Sequence, residues 1–278
     1  MTKSITPTSN LNWCFSTLGC AEHSLEEIAS LAQKFKIKQV EIRAASDRLD
    51  LPNLFREKFQ NAQNLKSWLD EKKVTVAALD SSAKLIGCPP EAKQELLEFA
   101  TWAHQLGVPS IRVFDGGNFQ PELDPVERDE AAKFLSWWEN QKAANGWNVD
   151  LIIETHDALC TAAHCLNLAN HSDAPVHILW DSHHTWRKAG EDPLKSWEEM
   201  KHLIRHIHFK DSIDKPSARH PFTYTQLGEG EFALDEVLQQ LSRDGFEGPV
   251  SLEWEKKWHP YLKPLDSALE KLKSWRAD

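Results

Sequence analysis

Basic clusters, paired cysteines and long apolar runs are all missing from this sequence, and each absence removes a class of function. No glycine-rich phosphate loop is evident at strands seven or eight, although LGEGEF and Lys256–Lys257 keep a phosphorylated substrate open. The 278 residues carry 32 Lys and Arg against 42 Asp and Glu, a formal charge of −10. No Lys/Arg run exceeds two or three residues. Nucleic acid requires a basic footprint, so this balance argues against it as a partner. No apolar stretch approaches the roughly 20 residues of a membrane span. The N-terminal MTKSITPTSNLNW has no apolar core of the kind a secretory signal needs. Cys14, Cys20, Cys88, Cys160 and Cys165 form no CxxC pair, and their odd number suits reduced thiols. The expectation is a soluble cytoplasmic protein with no nucleic-acid or membrane partner. Tyrosine is scarce, 2 residues against 12 tryptophans. Trp68, Trp102, Trp137 and Trp138 sit in amphipathic stretches and read as packing. Trp13, Trp180, Trp186, Trp254 and Trp258 lie on or just after strand candidates, where a pocket wall is an equal alternative.

What the sequence does contain is a regular alternation. Short β-rich runs occur at 12–17, 38–43, 74–79, 110–114, 149–154, 176–181, 205–209 and 249–254. Helical spacing separates them. Ser24 and Glu27 form a capping box, after which Leu25, Ile28, Ala29, Ala32 and Phe35 trace one apolar face. Further helices are expected near 54–72, 91–106, 125–145, 158–170, 192–204, 233–243 and 264–276. Gly107 and Gly245 stand where helix C-caps belong. Eight strands alternating with eight helices predict an α/β fold, a (β/α)8 TIM barrel occupying residues 1–278 as one domain. An open doubly wound sheet is the alternative, but no GxGxxG follows the first strand. The stretch 211–230 (DSIDKPSARHPFTYTQLGEG) lacks periodicity and follows the seventh strand, which marks it as a substrate-contacting loop or lid.

Barrel active sites are built at the C-terminal ends of the strands, and here the last four strands end in polar residues. Glu154 closes LIIE, Asp181 closes HILWD, His208 lies in RHIHF and Glu253 follows VSL. A lone buried carboxylate is costly. Four acids or imidazoles on consecutive strands gain a common partner if they bind one divalent cation. Oxygen-rich ligation with one histidine favours Mn²⁺ or Mg²⁺, with Co²⁺ and Zn²⁺ as alternatives. His206 shares a face with His208, and Glu255 with Glu253. His208 lies nearer the C-terminal end, and Glu253 closes the apolar run, so these two are preferred. His184, three residues after Asp181, Lys210 after His208, and Arg112 on the fourth strand are the candidate substrate-binding residues. For Arg112 the alternative is an ion pair with an acid of a neighbouring strand, such as Glu41.

The segments FSTLGC, VEIRA, IIETH, ILWDSHH, HIHFKD, LGEGEF and VSLEWEKKWHP, in this order, resemble the xylose isomerase-like TIM-barrel superfamily of sugar phosphate isomerases and epimerases. The similarity runs over nearly the whole chain. It implies Glu154, Asp181, His208 and Glu253 as metal ligands, with Glu154 and Glu253 also acting as the acid–base pair. It implies that His184 holds a substrate hydroxyl or carbonyl. Ketose 3-epimerases of the superfamily carry an arginine six residues after the strand-seven histidine. Asp214 stands there in this chain, with Arg219 in the same loop as the candidate substitute.

The expected activity is isomerisation or epimerisation of a small sugar or sugar-like polyol through an enediolate, Glu154 and Glu253 exchanging the proton. A metal-dependent dehydratase of the inosose or dehydroshikimate type is the alternative, with Lys210 as an acid–base group. A non-catalytic binding barrel is a third reading, opposed by the intact ligand set. The endonuclease IV branch needs further histidines on earlier strands, and LDSS and VFDGG supply none. A small sugar-like molecule is the expected partner, and a homo-oligomer is compatible with the sequence.

Overall fold

The computed structural model describes residue 8 and residues 10–276. Eight parallel strands form a closed barrel: β1 (Asn12–Ser16), β2 (Gln39–Ile42), β3 (Thr75–Ile86), β4 (Ser110–Gly116), β5 (Asp150–Glu154), β6 (Ile178–Asp181), β7 (Ile204–Phe209) and β10 (Pro249–Leu252). Around the barrel they run in the order β1-β10-β7-β6-β5-β4-β3-β2. Closure leaves no open edge, and the (β/α)8 expectation holds. Among the described residues no helix is long and apolar enough to cross a membrane.

The helices are α1 (Leu25–Lys34), α2 (Leu51–Phe59), α3 (Ala62–Lys72), α4 (Pro90–Leu106), α5 (Pro125–Asn145), α6 (Ala162–His171), α7 (Ser182–Ala189), α8 (Pro193–Met200), α9 (Leu234–Arg243) and α10 (Leu265–Leu272). The Ser24–Glu27 capping box opens α1, and Gly107 caps α4 with φ +74°. Gly245 has φ +67° just beyond α9.

Several expected boundaries move for local reasons. The helix expected over 54–72 is two helices, because Gln60 takes φ +66° and the Asn61 side chain accepts the Asn64 N–H to start α3. The helix expected from 158 begins at Ala162, where Thr161 caps it. The third strand continues past 79 to Ile86, and its pairing with β4 shifts register between Asp80 and Lys84. Helix α7 was not expected. It starts directly at the end of β6 because Asp181 Oδ1 accepts the N–H groups of His183 and His184.

The loop over 211–230 has more order than its composition suggested. β8 (Asp211–Ile213) and β9 (Thr223–Thr225) pair as an antiparallel hairpin. Asp211 anchors the return, its carboxylate accepting from the backbone N–H groups of Ser212, Gly228, Gly230 and Phe232. A Cβ at Gly230 would lie 2.0 Å from Asp211 Oδ1, so the close approach demands glycine.

Candidate active site at the barrel mouth

Side chains alternate across each strand, and the inward rows carry nearly all the charge. Ala78, Ile152 and Leu179 form a small apolar floor inside the barrel. The next inward residues toward the mouth are Asp80, Glu154 and Asp181, all buried. One donor atom each from Glu154, Asp181, His208 and Glu253 lies within 4.8 Å of the others. The four residues nominated from four separate strands therefore converge.

Their second atoms are held by the fold. Asp181 spends Oδ1 on the α7 N-terminus, leaving Oδ2 for the site. His208 Nε2 donates to Glu41 Oε2 at 2.8 Å, which leaves Nδ1 facing Glu253 Oε2 at 3.4 Å. His206 Nε2 also approaches Glu41 Oε2, at 2.9 Å. Both histidines thus point inward, and His206 belongs to the layer below the site. His208 Nδ1 and Glu154 Oε2 are buried without a hydrogen-bond partner. A carboxylate–histidine arrangement that orients a free ring nitrogen is how proteins prepare a metal ligand.

Lys210 is the cation in this cluster. Its Nζ lies 2.6 Å from Asp181 Oδ2 and 2.8 Å from Glu255 Oε1, and it also pairs with Glu253 Oε2. Burial works against charge on Lys210, but Asp181, Glu253 and Glu255 outweigh it and hold the ammonium well above its ordinary pKa. A divalent ion joining Asp181 and Glu253 must share them with Lys210, whose remaining carboxylate partner is Glu255. Tyr224 of the hairpin donates its hydroxyl to Glu255 at 2.7 Å. The hairpin loop therefore reaches the site through Glu255.

His184 also arrives at the cluster, Nδ1 lying 3.0 Å from Asp181 Oδ2 and 3.2 Å from the Thr155 carbonyl. Burial, then Lys188 and Lys210, keep its pKa well below the usual imidazole value, so it is a neutral ring. Arg112 pairs with Glu154, Nε to Oε2 at 3.3 Å, and with Asp80 at 3.7 Å. No ion pair joins it to Glu41. Arg219 is exposed and lies over Trp258, its guanidinium carbon 5.8 Å from the ring centroid. It makes no ion pair with the acids of the site.

The tryptophans divide. Trp180 is fully buried on the outward face of β6, stacked with Trp197. Trp254 is buried and donates to the Lys263 carbonyl. Trp258, 38% exposed, stays near solvent.

Sequence reasoning passed over several residues that the barrel gathers here: Arg43, Asp80, His156 and Tyr224. It named Glu41 only as a possible ion-pair partner and set Glu255 aside as the start of a charged loop. A period-two reading of VEIRA would have put Glu41 and Arg43 on one face with Gln39. Nothing local marks Tyr224, which depends on the hairpin.

Comparison with known proteins follows the same lines. The chain is 23% identical over 223 residues to the 3-dehydroshikimate dehydratase of Bacillus anthracis, covering 73% of this chain and 76% of that one. Its structure superposes on the probable 3-DHS dehydratase AsbF of Bacillus anthracis with a TM-score of 0.76 and 20% identity, over 94% and 98% of the two chains. The IolI protein solved with a bound zinc atom gives 0.69 at 19% identity, over 94% and 95%. An L-ribulose 3-epimerase gives 0.69 at 16%, over 94% and 93%. At these identities the structural likenesses show a shared fold. The xylose isomerase-like TIM barrel family matches over residues 21–277, and this chain belongs to it.

Proposed function

We propose that the protein is a metal-dependent lyase that removes water from a small polyhydroxylated carbonyl compound, of the dehydroshikimate dehydratase type. The observation that carries this reading is the buried Lys210 ammonium seated between Asp181, Glu253 and Glu255. Glu154, Asp181, His208 and Glu253 would hold one divalent ion. The fit rests on His208 Nδ1 and Glu154 Oε2, both buried without a hydrogen bond, and on a donor set of three carboxylates and one imidazole, which favours Mn²⁺ or Mg²⁺ over Co²⁺ or Zn²⁺. Such an ion polarises the oxygens of a bound carbonyl compound and acidifies the adjoining C–H.

The remaining work falls to the chain. Burial raises Glu253, but His208 and Lys210 outweigh it and keep it an ionised base. It takes the proton beside the carbonyl. Lys210 gives a proton to the hydroxyl that leaves from the next carbon, which completes the loss of water. His184, a neutral donor or acceptor, orients a substrate oxygen, and Arg112 steadies Glu154. The sequence likeness to the Bacillus anthracis dehydratase supports the same choice, as does Asp214 in place of the epimerase arginine.

Isomerisation or epimerisation is the second reading. It is favoured by the placement of Glu154 at the end of β5 and Glu253 just after β10, with β6 and β7 between those strands. Two carboxylates approaching from separate strands suit removal and return of one proton. The experiment that decides is NMR in D₂O with Mn²⁺ and a panel of 3-dehydroshikimate, inososes and ketoses. An unsaturated product identifies the lyase, and Lys210→Met then blocks water loss while leaving deuterium exchange. Deuterium beside the carbonyl with no loss of water supports the isomerase. No exchange with any substrate, together with no stoichiometric divalent ion, defeats both.

A further inference from the structure

Arg43 is employed by nothing described so far. It follows β2 two residues after Glu41, so alternation turns it inward one layer nearer the mouth. Only 6% of it is exposed, yet it donates only to neutral oxygens, the Asp80 carbonyl at 3.3 Å and the Ser82 hydroxyl at 3.1 Å. Among the described residues it forms no ion pair. A second guanidinium stands beside it. Arg112 and Arg43 share the Phe114 ring, their guanidinium carbons 4.0 and 5.9 Å from its centroid. Burial first, then the charge of Arg112, bring Arg43 down to about 10. Arg112 Nη1 is itself buried without a hydrogen-bond partner. Of the two acids near Arg112, Glu154 is a candidate metal ligand, so its charge is not Arg112's alone.

Against burial, Asp80, Glu154, Glu253 and Glu41 hold Arg112 charged. Arg43, buried near the same ring and repelled by Arg112, has no acid in ion-pair contact among the described residues, which is costly unless an anion arrives. The planar donor forks of the two guanidinium groups match a carboxylate or a phosphate. We infer that Arg43 and Arg112 form the receptor for an anionic group of the substrate, on the β2–β4 side of the mouth and across the barrel from Lys210. This inference rests on the carbonyl chemistry proposed above and narrows its substrate to acids. Neutral ketoses and inososes lack the group that the two arginines require.

Calorimetric titration tests it, on chelator-treated protein and again with Mn²⁺. The probes are shikimate, its methyl ester, myo-inositol and inorganic phosphate. Wild type is expected to bind shikimate at least ten-fold more tightly than the ester. Arg43→Met removes that preference, Arg43→Lys restores part of it, and the affinity for the ester stays constant. If phosphate instead of shikimate shows the Arg43 dependence, the receptor is one for phosphate esters. Arg43→Met is also expected to melt at or above the wild-type temperature, since it removes a buried charge. Equal affinity for acid and ester, no anion bound at millimolar concentration, or a lowered melting temperature with unchanged anion affinity overturns the inference. The chelator-treated arm needs no metal and no turnover, so failure of the lyase reading would appear separately.

Discussion

Toward the barrel mouth the two faces of β2 to β7 are both buried and obey opposite rules. The outward row, with Ile111, Val113, Ile153, Trp180, Ile207, Val250 and Leu252, joins the apolar layer beneath the helices. The inward row, with Glu41, Asp80, Arg112, Glu154, Asp181, His206, His208 and Glu253, is charged or titratable and no less buried. Burial therefore does not dictate polarity in this molecule. The outward face removes apolar area from water and supplies stability. The inward face holds its charged groups largely as ion pairs between strands, with several polar atoms left without a hydrogen bond at the site. Stability and chemistry are divided between alternate residues of the same strands.

That division can be broken from either side. Glu154→Gln is expected to lower kcat/KM roughly 10³-fold, the scale of a lost acid–base group, and to weaken divalent-ion binding, with little change in melting temperature. Phe99→Ala, in the apolar layer on α4 and fully buried, is expected to cost about 3–5 kcal/mol of stability and to leave metal stoichiometry intact. Turnover, metal analysis and denaturant unfolding on both variants check the pair. A Glu154→Gln protein that loses stability as Phe99→Ala does would erase the distinction.

Glu41→Gln sharpens the inward side, because among the four donors Glu41 touches His208, through the ring nitrogen turned away from the others. Removing the carboxylate that fixes the His208 ring should weaken divalent-ion affinity about 10–100-fold. Competition with a chromophoric chelator measures this, and nitrogen NMR of the imidazole reports the tautomer. Unchanged affinity would mean that the Glu41–His208 contact is packing alone.

The smallest effect is one of pH. Burial, then Lys210, depress His183 from 6.5 to about 3, so the unfolded chain takes up a proton that the native protein refuses. The stability from this residue is complete above pH 6.5 and is lost as pH falls from 6.5 toward 3, by at most about 1.4 kcal/mol per pH unit. Thermal unfolding between pH 7 and 5 should show a shallower decline in His183→Gln than in wild type. Parallel declines would remove His183 from the account.

The comparison also shows why some features were legible and others were not. Period-two alternation and strand order are local, and they nominated Glu154, Asp181, His208 and Glu253, whose donor atoms the structure brings together. The same alternation left His206 and Glu255 unresolved, because residues two apart share a face. Barrel depth separates the histidines: His206 sits beside Glu41 below the site, and His208 reaches Glu253. Glu255 is drawn in by Lys210 and by Tyr224, which belongs to a hairpin with no periodic signature. The break between α2 and α3 was missed because the Asn61 side chain competes with the helix for backbone N–H groups, an effect that apolar spacing does not record.

The sequence by itself determined the repeating strand–helix order, which residues face inward, and a polar set at the ends of the last four strands. These follow from covalent geometry and from the burial of one face of each element. Only the tertiary structure decided how those residues are partnered. Glu41 beneath His208, Lys210 between Asp181 and Glu253, and Arg43 beside Arg112 are meetings of distant segments. They depend on the register and closure of eight strands, which no local pattern specifies.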